Sequence, residues 1–133
     1  MKIETTILKN LLQNEDYARK VLPFLNDEYF TENSDKIIYN QINNFILKYN
    51  SLPNKEALNI ELSEAKITEE DFKESVNLIN EIGKDDQEFS DLSWLLDSTE
   101  KFCQDKAIYN AVVESISILD NPKSTADKGT IPD

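Results

Sequence analysis

The side chain best suited to chemistry in this sequence is the single cysteine, Cys103. Lys106 follows it about one helical turn later, and a neighbouring ammonium group lowers the pKa of a thiol. A cysteine nucleophile also works with a base, and the chain has no histidine to supply one. The lack of histidine excludes Ser-His and Cys-His centres and any imidazole metal site. We therefore interpret Cys103 as a structural thiol.

Acidic runs at 27–28, 69–71 and 85–86 are the remaining candidates for a ligand site. Carboxylates bind divalent cations, but none of these runs follows the spacing of an EF-hand loop. Helix caps and solvated faces explain them more simply. The two glycines stand far apart and GxxxxGK[ST] is absent, so no phosphate-binding loop is expected. The sequence predicts no catalytic, cofactor-binding or metal-binding residue.

The charge balance bears on the partners that this chain can bind. The net charge is −12 over 133 residues, and Arg19 is the one arginine. Such a surface repels nucleic-acid phosphates and anionic membranes. A single cysteine suits a reducing cytosol, and no window approaches the ~20 apolar residues of a membrane-spanning helix. We expect a soluble intracellular protein that binds neither DNA nor membrane directly.

The hydrophobic pattern has helical periodicity almost throughout, and the few Gly and Pro residues argue against a turn-rich β fold. Helices are predicted over 3–12, 16–22, 35–49, from Asn54 to about 62, 68–82 and 89–119. Asn14, Asn33 or Ser34, Asn54 and Thr68 are the expected caps, and Gly83 is expected to end the fifth helix. The predicted fold is all-α.

These helices group into three predicted regions. A helical globule occupies 1–66, and an antiparallel helical hairpin occupies 67–121, because a short connection favours antiparallel neighbours. The polar, breaker-rich segment 122–133 is expected to be a linker.

The helix predicted over 89–119 is unusual because its second half is apolar around most of the circumference. Its polar positions form one thin stripe: Thr99, Cys103, Lys106, Asn110, Glu114, Ser117 and Asn121. Such a helix needs burial on several sides, against its own chain and against something further. We interpret it as the spine of an assembly module.

Six residues along one flank of this helix are the candidate contacts with another subunit or partner: Trp94, Leu95, Phe102, Tyr109, Val113 and Ile116. Aromatic side chains are enriched among interface residues that dominate binding energy. The alternative is that these side chains are buried within the monomer, under the fifth helix.

Two blocks of the sequence resemble the N-terminal domain of DnaB-type replicative helicases. The first comprises IETTIL at 3–8, DEYFT at 27–31 and KIIYNQI at 36–42, followed by the Pro53 turn. The second, from 99 to 111 and on to the end of the chain, is similar to the phage branch of that family. The chain departs from the bacterial pattern in two respects. It lacks the histidine of that pattern, with Lys36 near the corresponding position, and it is strongly acidic.

This resemblance implies a helical globule with a protruding helical hairpin. It also implies that hairpins pair between subunits into a trimer-of-dimers collar on a hexameric ring, and that the collar meets the primase. ATP hydrolysis with Mg²⁺, and strand separation, would belong to a RecA-like C-terminal domain following Asp133. The chain itself would bind no cofactor and would lie in the cytoplasm of a phage-infected bacterium.

Two alternatives remain open from the residues. The chain is also compatible with the helicase-binding domain of a primase, or with a free-standing acidic adaptor or DNA-mimic inhibitor. The acidic surface serves either solubility or the attraction of a basic partner. Spare apolar surface on the long helix argues against the DNA mimic.

Overall fold

The computed structural model describes residues 2–84 and 91–120, without the side chains of 118–120. All regular structure in this part of the chain is helical, which confirms the predicted all-α class. The helices are α1 (Ile3–Gln13), α2 (Glu15–Val21), α3 (Asn33–Tyr49), α4 (Lys55–Ser63), α5 (Glu69–Ile82) and α6 (Leu92–Asp120). Two 3₁₀ turns, Leu22–Phe24 and Asp27–Tyr29, connect α2 to α3.

Side-chain caps begin three of these helices where the sequence predicts them. The side-chain oxygens of Asn14, Asn54 and Thr68 accept backbone N–H groups of the first turns of α2, α4 and α5 at 3.1, 2.7 and 3.1 Å. The start of α3 differs from the prediction. Its cap position is Glu32, which makes no side-chain capping bond, rather than Asn33 or Ser34.

The far ends of two helices are fixed by different means. Gly83 ends α5 as predicted, and a Cβ at that position would lie 2.9 Å from the carbonyl oxygen of Ile79. At the end of α3, Asn50 adopts a left-handed conformation (φ 55°), which asparagine tolerates better than most residues. The Arg19 guanidinium donates to the Asn50 carbonyl at 3.0 Å, so the arginine ties α2 to this turn.

A single hydrophobic core joins all six helices. Helix α5 packs against α3, α4 and α1, whereas α6 packs against α2, α1 and the Asp27–Tyr29 turn. The predicted α5–α6 hairpin is therefore not confirmed, because the main neighbours of each helix are other elements. The division between 1–66 and 67–121 stays a prediction, and the predicted linker 122–133 lies outside the described residues.

Candidate interaction surface

The first half of α6 lies in the core of the chain. Leu95 and Phe102 are 1% and 7% exposed, and Thr99 between them is fully buried. The Tyr17 hydroxyl lies 2.6 Å from the Thr99 Oγ1, and that oxygen also donates to the Leu95 carbonyl at 2.7 Å. This bond satisfies two buried hydroxyls and fixes α6 against α2.

Leu95 and Phe102, two of the six predicted interface residues, are buried within the chain itself, as the alternative interpretation expects. The Phe102 ring packs on Phe30 with centroids 5.8 Å apart, in the same core as Leu95. Both side chains are already buried against other residues of the monomer, so they leave little apolar surface for contact with another molecule.

Cys103 is buried on the same side of α6, and burial raises the pKa of its thiol to about 11. The negative charge of Glu100 raises this pKa further. Lys106 does not have the lowering effect considered from the sequence. Its Nζ lies near Thr31 Oγ1, at 3.4 Å, and near the rings of Phe102 and Tyr109. The thiol is protonated at neutral pH, consistent with a structural role.

The second half of α6 has a different environment, because every side chain from 111 to 117 is exposed. Within this half, large apolar side chains recur at helical spacing. We call them the α6 stripe: Ile108 (65% exposed), Tyr109 (62%), Val112 (51%), Val113 (46%) and Ile116 (52%). At 3.6 residues per turn they span an arc of about 140° on one side of the helix. The stripe is an apolar surface without a partner among the described residues.

The stripe contains three of the six predicted interface residues, Tyr109, Val113 and Ile116. Trp94 is also exposed (53%), but polar Ser98 and Asp105 on the same side of α6 separate it from the stripe. The predicted set missed two members of the stripe.

The missed residues are Ile108 and Val112. Together with Ile116 they repeat at i, i+4 and i+8, a spacing readable from the sequence. This helix has apolar residues around almost its whole circumference. The spacing alone therefore does not show which side faces the core.

A groove of about 720 Å³ lies where α6 leaves the body, between its second half and the Asp27–Tyr29 turn. Asn110 Nδ2 donates to the Glu28 carbonyl at 3.2 Å across this gap. Ala107 and Ala111 form the α6 wall, and Val113 belongs to both the groove and the stripe. At Asn110, α6 is thus held to the body by a polar contact on one side, whereas its opposite side is apolar.

The described residues hold no group of three or more His, Cys, Asp or Glu side chains that could bind a metal ion. They also form no helix long and apolar enough to cross a membrane.

The chain is 32% identical over 135 residues to a protein described as a DnaB-like replicative helicase, from Enterobacteria phage T4. The match covers 96% of the chain but 28% of the relative, so the chain spans less than a third of the relative's length. No protein-family profile matches the chain. The resemblance to the DnaB-like replicative helicases of phages is therefore confirmed, and it extends over one domain-sized part of such a protein.

Proposed function

We propose that this chain is the N-terminal, non-catalytic domain of a phage DnaB-like replicative helicase and that it assembles subunits through the α6 stripe. The observation that carries the proposal is the exposure of five large apolar side chains on one side of a helix whose first half is core. Monomeric proteins rarely expose a contiguous apolar patch unless it binds something. The helicase relative supplies the context in which that partner is another subunit.

Pairing in this proposal uses the second half of α6 rather than an α5–α6 hairpin. The buried side chains of α5, among them Ile79 and Ile82, already lie in the core. Burial of the stripe against a second copy would remove apolar surface from water, at about 25 cal/mol per Å². In a hexamer, such pairs would form a collar arranged as a trimer of dimers. ATP, Mg²⁺ and strand separation would belong to sequence outside this chain.

Sedimentation velocity of the chain over a wide concentration range tests the self-association. We expect the weight-average mass to rise with concentration toward that of a dimer, because a two-fold axis would bring the same apolar stripe of both copies together. High salt should leave this association in place or strengthen it, because it is apolar. A monomer at millimolar concentration would contradict self-association of this chain.

Docking of the primase is the second part of the proposal, and the acidic surface supports it. Between Asn54 and Gly83, across α4 and α5, the chain has eight acidic and three basic side chains. A surface of this charge attracts a basic partner and speeds its association.

We expect the chain to bind the primase of the same phage with an affinity that falls several-fold between about 50 and 300 mM NaCl. Glu70→Lys, at an exposed position of α5, should slow association, whereas Asp16→Lys, at an exposed position of α2, should have a smaller effect. Biolayer interferometry measures both rates. Failure of the primase to bind would contradict docking, and equal effects of the two variants would contradict the assignment to α4 and α5.

A further inference from the structure

Asp35 carries a buried carboxyl group that has no part in the proposed function. It lies in the first turn of α3, it is 4% exposed, and its Oδ2 has no hydrogen-bond partner among the described residues. Helix α3 packs against both α1 and α5. On α5, the Ser75 hydroxyl is likewise fully buried without a partner. An ionised carboxylate in such a place loses hydration without full compensation.

The charged groups that act on Asp35 come from all three helices. Glu4 lies on α1, Glu32 immediately precedes α3, and Glu81 lies on α5, while among the described residues Lys2 supplies an opposing positive charge. Burial raises the pKa of the Asp35 carboxyl, Lys2 lowers it, and the three glutamates raise it further. The first turn of a helix favours an anion. Desolvation has the larger effect here, because the side chain is almost entirely removed from water.

We propose that Asp35 links the packing of α1 on α3 and α5 to proton binding, so that uptake of a proton from solvent tightens the three-helix contact. Protonation removes the charge from the buried site and supplies an O–H donor. Loss of the proton leaves a buried anion amid three glutamates. The contact of α1 with α3 and α5 is then weaker.

The sign of the pH dependence follows from the raised pKa. In the unfolded chain an aspartate titrates near pH 3.9. Below that pH the carboxyl is protonated in both states, and Asp35 makes no pH-dependent contribution. As pH rises from about 4 through the higher pKa of the folded state, ionisation increasingly favours unfolding. Above the folded-state pKa the penalty is complete and constant.

Urea unfolding of wild type, Asp35→Asn and Asp16→Asn at several pH values tests the inference. Asp16 is the matched control, because it is an exposed aspartate in the first turn of α2. The unfolding equilibrium constant of Asp35→Asn should be about tenfold lower than that of wild type at pH 7.5, and equal to it near pH 4. Asp16→Asn should follow the wild-type pH dependence throughout. A pH dependence of Asp35→Asn parallel to wild type would overturn the proposal.

Two measurements on the wild-type chain keep the inference testable if Asp35→Asn fails to fold. Carbon-13 NMR of the side-chain carboxyls should show Asp35 titrating above the ordinary aspartate value of about 3.9. Amide hydrogen exchange, corrected for intrinsic rates, should show α1 losing protection as pH rises while α4 does not. An Asp35 that titrates near the ordinary aspartate value of about 3.9 would refute the proposal.

Discussion

Replacing Tyr109 with aspartate is expected to weaken self-association of this chain by at least about 100-fold, while leaving the monomer folded. Tyr109 is 62% exposed in the middle of the α6 stripe, so a carboxylate there remains hydrated in the monomer. In a dimer formed through the stripe, the same carboxylate would be buried against apolar side chains without a partner. Sedimentation velocity measures the association, and circular dichroism reports whether the helices persist.

Ala111→Asp is the matched control for this variant. Ala111 is exposed two residues further on, so it lies about 160° away from Tyr109 around the helix. The Ala111→Asp substitution introduces the same charge in the same half of α6 but outside the stripe. Val113→Asp should behave like Tyr109→Asp. Equal weakening by Ala111→Asp would mean that α6 pairs through another side, and loss of helix in Tyr109→Asp would mean that the monomer needs this residue.

Local features of this fold could be predicted well from the sequence, because neighbouring residues determine them. Asn14, Asn54 and Thr68 cap the predicted helices because a side-chain oxygen three residues before a free N–H is sufficient to form the bond. Gly83 ends α5 for a similarly local reason. Helix type and approximate extent follow from such signals and from periodicity.

The partners of α6 could not be predicted in the same way. Its apolar residues surround most of the helix, so periodicity alone could not separate Leu95 and Phe102, which are buried, from Tyr109 and Ile116, which are exposed. The polar positions were misleading as well. Thr99 and Cys103 belong to the predicted polar stripe but face the core, where Thr99 bonds to a tyrosine far away in the sequence. Long-range contacts of this kind decide which side of a helix is buried.

The change of environment along α6 has a structural cause in the turn at Asp27–Tyr29. Up to Cys103, one side of the helix is covered by α1, α2 and this turn. Beyond it, polar Asn110 makes a contact with the Glu28 carbonyl at the edge of the body, and no element of the described chain covers the next two turns. One continuous helix thus contributes to the core with its first half and presents apolar surface with its second. Substitutions in the two halves should consequently affect different properties.

Leu95→Ala should destabilise the monomer by about 2–5 kcal/mol, because truncation of a buried leucine removes packed methyl groups and leaves a cavity. Domains of this size have a total stability of about 5–15 kcal/mol, so the loss is a large fraction. Leu95 is 1% exposed and its carbonyl accepts the Thr99 hydroxyl, so the cavity would lie beside the Tyr17–Thr99 bond. Urea unfolding measures the change, and the melting temperature should fall by roughly 10 °C.

Trp94→Ala is the control that separates burial from side-chain size. Trp94 is larger than its neighbour Leu95 but 53% exposed, and alanine is a better helix former than tryptophan. Its substitution should change the free energy of unfolding by less than about 1 kcal/mol. Both residues belong to the predicted interface, so the two variants also distinguish its exposed member from its buried one. A larger loss from Trp94→Ala than from Leu95→Ala would mean that the tryptophan side of α6 is the one buried in the monomer, and the orientation of α6 described above would then be wrong.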